Sequence, residues 1–357
     1  MTDVKSIEKI LEEKRPLIDK IIEKYIPRRF SQDAFEFSCG KPRYKNLGSI
    51  YTYVFSKPVW ELLDRGGKRW RPVLFLLLAE ALGADTKKAQ DFVMIPEIVH
   101  DGSLIIDDLE DSSLVRRGKP CLHHLFGIDV AVNAGNAMYY MPALVLLKNT
   151  AGLDEPRKIK AYEVFMQEMI NIHFGQGADI FWHHGWQDEI TEEEYLQMCA
   201  FKTGTLARMS AKLAAIIAGA DDKTIEACGL FAESIGVAFQ IQDDILNLVG
   251  DPGKFTKDIG EDITEGKRSM MVIHCLKNAP QHDASRLRYI LSLKTHDREL
   301  IDEAVQILQR SKSVDYAKKR AREILLQAWT VAEPHLKEGA AKEKVRAFAE
   351  FLVEREF

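Results

Sequence analysis

The stretch Ser103-Leu104-Ile105-Ile106-Asp107-Asp108-Leu109-Glu110-Asp111 decides how this chain is read. An apolar, helix-compatible run ends in a dense acidic cluster. On a helix, Asp107 and Asp111 are four residues apart and share a face. A second cluster repeats the pattern far downstream: Val237-Ala238-Phe239-Gln240-Ile241 leads into Asp243-Asp244-Ile245-Leu246-Asn247. Asp243 and Asn247 stand in the same relation. Carboxylates crowded within apolar surroundings repel one another and lose hydration. A hard divalent cation is the simplest remedy, because Mg²⁺ prefers oxygen ligands and keeps positions open for phosphate oxygens. Two such faces opposed across a cavity would clamp a metal-bound diphosphate.

Around these clusters the chain reads as helical nearly throughout. Ile7, Ile10, Leu11, Ile18, Ile21 and Ile22 recur at helical spacing. Helical runs are expected around 58–64, 70–82, 88–108, 122–126, 128–149, 155–182, 191–218, 222–249, 267–278, 284–293, 297–310, 314–337 and 340–355. Glycines and prolines punctuate them, with Gly250-Asp251-Pro252-Gly253 the densest break. Pro96 and Pro142 fall inside two runs and are expected to kink them. Residues 28–50, broken by Gly40, Pro42 and Gly48, read as a loop or lid. No alternating strand pattern, internal repeat or low-complexity tract is evident. The expected fold class is all-α, a single large helical bundle around a central cavity. It would form one domain over 1–357, with an N-terminal helix and loop at 1–60, a catalytic core at 61–280 and C-terminal helices at 281–357.

Composition narrows the function. The 357 residues are 46% hydrophobic and 29% charged, ordinary for a globular protein, and the net charge of −5 argues against a general nucleic-acid binder. No apolar run approaches the roughly 18 residues that span a bilayer, so no transmembrane segment is expected. Cys39, Cys121, Cys199, Cys228 and Cys275 are scattered without a CxxC pair, as expected of reduced thiols in a cytoplasmic protein.

Basic residues accompany the acids. Gly66-Gly67-Lys68-Arg69-Trp70-Arg71-Pro72 opens a helix, where freed backbone and positive charge suit an anion. Arg116-Arg117 follows the first cluster. Lys202-Thr203-Gly204 interrupts an apolar stretch, and Lys257 and Lys267 flank Gly260-Glu261-Asp262. A single acidic cluster on a helix is more often a solvated face, and paired arginines are commonplace. The conjunction points to a phosphate ester bridged to the acids by Mg²⁺.

At this point the chain resembles the trans-isoprenyl diphosphate synthases, from about Gly66 to Lys267. The matching segments are Gly66 to Pro72, Ser103 to Pro120, Gly175-Gln176-Gly177-x-Asp179, Lys202-Thr203-Gly204, Phe239-Gln240-x-x-Asp243-Asp244, and Gly260-x-Asp262 through Lys267. The resemblance implies an all-α homodimer with Mg²⁺, about three ions per active site in this family. Asp107 and Asp111, with Asp243, would hold Mg²⁺ on the allylic diphosphate; Asp108, Asp244 and Asn247 complete the motifs. Arg116, Lys202 and Lys257 would neutralise that diphosphate as it leaves. Lys68, Arg71, His100 and Arg117 would bind isopentenyl diphosphate. Thr203 and Gln240 would point oxygen dipoles at the allylic cation, and Lys267 would sit at the outer rim.

Within the family, Asn247 stands where many members carry aspartate, and Ile106 where a histidine is common. This combination resembles the eukaryote-type geranylgeranyl diphosphate synthases. Gly102 and Ser103 are small, so a short stop to the product tunnel is not expected there. Tyr139, Tyr140 and His173 match the positions that form the floor in that subgroup, which implies geranylgeranyl diphosphate as main product. A farnesyl or longer-chain synthase is the alternative; a terpene cyclase or a non-catalytic regulatory subunit fits less well, because both acidic motifs and a second basic site are present.

Overall fold

The computed structural model describes residues 4–45, 47–187, 189–249 and 260–354. In chain order the helices are α1 (Val4–Tyr25), α2 (Gln32–Cys39), α3 (Gly48–Tyr51), α4 (Lys57–Leu63), α5 (Trp70–Leu82), α6 (Thr86–Ala89), α7 (Met94–Glu110), α8 (Leu122–Phe126), α9 (Ile128–Tyr140) and α10 (Ala143–Lys148). There follow α11 (Glu155–His183), α12 (Glu192–Cys199), α13 (Thr205–Ala218), α14 (Asp222–Val249), α15 (Glu261–Glu265), α16 (Met270–Asn278), α17 (Gln281–Leu293), α18 (Arg298–Arg310), α19 (Ser313–Ala332) and α20 (Ala340–Glu354). The fold is all-α, as the periodicity requires. Among the described residues the one exception is a small hairpin of β1 (Val115–Arg116) and β2 (Lys119–Pro120), antiparallel, with Arg116 opposite Lys119. Two residues per strand are too few to leave an alternating pattern in sequence.

The chain forms two compact units. Unit 1 takes the chain up to Met169, with Met209–Glu226 and His335–Ala347. Unit 2 takes Ile170–Arg208, Ala227–Pro334 and the chain from Phe348. In unit 1, α5 is apolar apart from Arg71 and Glu80, and every residue of it but Glu80 is buried, as expected of a core helix. Val73, Leu74 and Phe75 of α5 are buried, as are Ile95, Ile98 and Val99 of α7 and Ile18 and Ile22 of α1. In unit 2, the core includes Phe231, Ile235, Ala238 and Ile241 of α14, Met271 of α16 and Trp329 of α19, with Phe231 edge-on to Trp329 at 5.3 Å.

Several expected boundaries move for local reasons. The expected 88–108 helix divides into α6, a 3-10 turn at Gln90–Val93, and α7. Pro96 therefore falls in the first turn of α7, where its missing N–H costs nothing, and causes no break. Pro142 separates α9 from α10 rather than kinking one helix. The expected lid at 28–50 contains α2, capped by Ser31 Oγ on the Ala34 N–H (3.1 Å), and the start of α3, with Phe35 stacked on Tyr51. Two stretches, Ile128–Lys148 and Asp222–Val249, are long and apolar enough by composition to cross a bilayer. Half of the most apolar 18-residue window of the first and two thirds of that of the second are buried, and the second stretch carries an acidic motif, so packing accounts for their apolarity.

Candidate active-site residues

The two acidic motifs lie in different units, and each is built the same way. In unit 1, the last turn of α7 leaves Asp107 half-buried and Asp111 exposed, while Asp108 is 2% exposed. Arg116 comes to Asp108 from the β1–β2 hairpin, with Nε at 2.7 Å and Nη2 at 2.5 Å from Oδ1, and Nη2 lies 3.4 Å from Asp107. Burial opposes the Arg116 charge, but Asp108 and then Asp107 outweigh it and raise its pKa.

Upstream on α7, Glu97 and Asp101 are buried carboxylates, and both bind arginine. Arg69 Nη1 donates to Glu97 at 2.7 Å and to Asp101 at 3.3 Å, and its Nε donates to Asp19 at 3.2 Å. Arg117 donates to Asp101 at 2.9 Å and to the Gly66 carbonyl at 2.7 Å. Arg71 is buried over the Trp70 ring, 4.4 Å from its centroid, and its Nε has no hydrogen-bond partner among the described residues. Burial lowers the Arg71 pKa to about 10, still cationic at neutral pH. A buried cationic donor without an acceptor is poised for an anionic ligand. His100 is half-buried and carries no charge near neutrality: burial, then Arg71, Arg117, Arg116 and Arg69, hold its pKa well below the usual imidazole range. Lys68 is exposed at the edge of the same loop.

In unit 2, Asp243 is half-buried and Asp244 is 1% exposed. Asp244 is a hub. It accepts from Tyr195 Oη at 2.8 Å, Gln240 Nε2 at 2.9 Å and Lys267 Nζ at 2.8 Å. Burial works against the Lys267 charge, but Asp244, Asp262 and Asp179 raise its pKa well above normal. Burial, then Asp244, raise that of Tyr195. Tyr195 is set by α12, whose start is fixed by a capping box in which Thr191 and Glu194 bond each other's backbone. Lys202 and Thr203 sit in a π-helical turn, Ala200–Gly204; such bulges recur at functional sites. Lys202 pairs with Asp179 at 2.5 Å, and Thr203 Oγ donates to Gln240 Oε1 at 2.8 Å. Gly175 makes this turn possible, because a Cβ there would lie 2.2 Å from the Lys202 backbone nitrogen.

Some expected roles change in the structure. Asn247 is 3% exposed, and its Oδ1 accepts the Asp262 N–H at 3.0 Å while its carbonyl accepts Gly260 N–H at 2.8 Å. Its amide braces the start of α15. Lys267, its side chain 25% exposed, bonds the buried Asp244. Of the three floor positions, Tyr139 is 9% exposed, but Tyr140 is 70% exposed and His173 is also exposed. Consecutive helical residues point about 100° apart, so an inward Tyr139 turns Tyr140 outward. Gly102 faces α9, where a Cβ would lie 2.7 Å from that of Met138, so its smallness serves helix packing. Ser103 Oγ returns to the His100 carbonyl at 2.7 Å. Lys257 lies outside the described residues.

Sequence reading missed Arg65, Arg69, Glu97, Asp101 and Tyr195 as site residues. Asp101 precedes Asp108 by seven residues and shares its helical face, which was a usable signal. Tyr195 had none, since its partner Asp244 is 49 residues away.

Each motif carries oxygen donors of the kind Mg²⁺ takes: Asp107 and Asp111 in unit 1, and Asp243 in unit 2, are at least partly open to solvent. Among the described residues no three acidic, imidazole or thiol groups converge as a finished nest.

The family model for polyprenyl synthetase matches residues 52–308. A short chain isoprenyl diphosphate synthase of Methanothermobacter thermautotrophicus is 35% identical over 83% of this chain and 88% of its own length. A geranylgeranyl pyrophosphate synthase of Dictyostelium discoideum is 34% identical over 80% of this chain and 87% of its own. The crystal structure of geranylgeranyl pyrophosphate synthetase from Pyrococcus horikoshii superposes with a TM-score of 0.85 at 29% identity, covering 99% of both chains. The family match takes in both acidic helices and every basic segment described above, and the chain therefore belongs to the polyprenyl synthetase family of trans-isoprenyl diphosphate synthases.

Proposed function

We propose that the chain is a prenyltransferase that condenses isopentenyl diphosphate head-to-tail with allylic diphosphates, with geranylgeranyl diphosphate as main product. The observation that carries this is the repeated design of the acidic motifs: one carboxylate left partly open and its neighbour buried on a cation, Arg116 in one unit and Lys267 in the other. The similarity to synthases named for geranylgeranyl diphosphate supports the product length.

Mg²⁺, about three ions held by Asp107, Asp111 and Asp243, would neutralise the departing diphosphate as a Lewis acid. Arg116, Lys202 and Lys257 add positive charge to the same leaving group. Lys68, Arg71 and Arg117 hold the diphosphate of isopentenyl diphosphate, and neutral His100 contributes an N–H. When the allylic C–O bond breaks, the Thr203 hydroxyl and Gln240 amide oxygens face the cation. The double bond of isopentenyl diphosphate attacks it, and the proton then leaves to the released diphosphate. Apolar walls keep water from the cation.

The working form is a homodimer in the cytoplasm. Supporting this, Ile159, Met166, Ile170, Phe174 and Phe181 form an exposed apolar stripe along α11, and Ile128, Val132 and Tyr140 are exposed on α9. No disulfide links the five cysteines. The test is a product assay with Mg²⁺, labelled isopentenyl diphosphate and dimethylallyl, geranyl or farnesyl diphosphate. Geranylgeranyl product from all three primers is expected; no incorporation would overturn the reading, and other chain lengths would overturn the product assignment.

A further inference from the structure

We propose that Arg65 and Arg117 form a reciprocal clasp that binds the Gly66–Arg69 loop and the Val115–Pro120 hairpin into one cationic cradle, with Arg65 as a positioning residue for diphosphate binding. The proposal rests on the prenyltransferase reading, which assigns diphosphate to this cradle. All of it lies in unit 1.

Each arginine holds the backbone of the other's segment. Arg65 Nη1 donates to the carbonyls of Arg116 at 3.0 Å and Lys119 at 3.4 Å, and its Nε donates to the Glu61 carbonyl at 3.1 Å. In return, Arg117 Nη1 donates to the carbonyls of Gly66 at 2.7 Å and Leu62 at 3.3 Å. Asp101 closes the arrangement, taking Arg117 on one oxygen and Arg69 on the other.

The backbone is shaped for this. Arg69 and Arg117 both adopt left-handed conformations, φ +52° and +50°, which non-glycine residues reach at a cost. Their side-chain bonds hold them there. Gly67 has φ +124°, and a Cβ on it would lie 3.2 Å from Arg69 Nη1 and 3.3 Å from Arg117 Nη2. The two guanidinium groups thus pack directly on the glycine.

The Arg65 side chain is 0% exposed, so it reaches no ligand itself. Its effect passes through the segments it ties. One segment carries Lys68, Arg69 and Arg71; the other carries Arg116 on the acidic motif and Arg117 on Asp101. Loss of Arg65 frees the hairpin carbonyls, so the two sets of cations lose their common frame.

The experiment compares wild type, Arg65→Met and Arg65→Lys by steady-state kinetics in both substrates, thermal melting, and calorimetric titration with inorganic pyrophosphate. Arg65→Met is expected to raise KM for both diphosphate substrates roughly tenfold, the size of one or two lost hydrogen bonds, with kcat within about twofold. Arg65→Lys, whose single ammonium cannot span two carbonyls, should fall between. Unchanged KM values in a variant that melts like wild type would overturn the proposal, as would a kcat loss with constant KM. If Arg65→Met does not fold, Arg65→Lys decides by the same criteria. If wild type consumes no isopentenyl diphosphate, the prenyltransferase reading fails separately. The clasp is then judged by pyrophosphate alone: tenfold weaker binding in Arg65→Met supports it, and equal binding rejects it.

Discussion

Gln240 donates its amide hydrogen to Asp244 at 2.9 Å, and that bond fixes which way Gln240 faces. The amide oxygen is left to accept the Thr203 hydroxyl at 2.8 Å, so the Thr203 lone pairs are turned away from Gln240. Bonds in such a chain polarise one another. Replacing Thr203 by Val keeps the shape and removes the last link. We expect kcat to fall about 10- to 100-fold with KM for either substrate unchanged. Wild-type turnover in this variant would show that the relay has no part in the chemistry.

Asp107 and Asp108 are neighbours in sequence with different tasks. Asp108→Asn strips the carboxylate from a largely buried arginine and is expected to cost about 2 kcal/mol, less than the roughly 3–5 kcal/mol for a fully buried pair because Arg116 keeps some exposure. Asp107→Asn should melt near wild type but need about tenfold more Mg²⁺ for half-maximal activity. Paired melting and Mg²⁺ titrations of both variants check this; identical behaviour would contradict the division.

His100 is held neutral by burial and the surrounding arginines, so its folded pKa lies below its unfolded one. A depressed pKa contributes stability that is present above the unfolded value, near 6.5, and lost as pH falls below it. His100→Gln keeps an N–H without a titrating ring. We expect its melting temperature to decline less than wild type between about pH 6.5 and 5, with KM for isopentenyl diphosphate within about threefold. An unchanged pH slope would remove His100 from this role.

Asn247 braces α15 through the Asp262 N–H. Asn247→Ala is expected to destabilise by about 1 kcal/mol, as for a lost helix cap, with the Mg²⁺ dependence unaltered. A rise in Mg²⁺ requirement at unchanged stability would restore Asn247 to the metal site.

Gly102 lets α7 and α9 approach. Gly102→Ala forces a Cβ to 2.7 Å from that of Met138 and is expected to cost about 1–3 kcal/mol by overpacking, with product length unchanged. Shorter products without loss of stability would mean that this position borders the tunnel.

Helical periodicity, the two acidic motifs and the basic segments were legible because they are local: spacing along one helix determines which residues share its face. The apolar runs of α5, α7, α11 and α14 carried the fold class in the same way. What failed was partner choice. Lys267 bonds Asp244, 23 residues earlier, a pairing that its place at the end of a motif does not announce. Tyr139 and Tyr140 are alike in sequence, and only packing against α7 separates the enclosed ring from the exposed one.

The sequence by itself therefore determined an all-α chain and the placing of its acidic and basic motifs on particular helices and loops, since these follow from residue type and spacing. The tertiary structure alone decided which cation each buried carboxylate meets, Arg116 at Asp108 and Lys267 at Asp244. That choice depends on bonds between residues far apart in the chain, such as Arg69 with Glu97 and Tyr195 with Asp244. Desolvation makes a buried charge without a partner costly, so the fold must settle those pairings before the remaining groups can face a ligand.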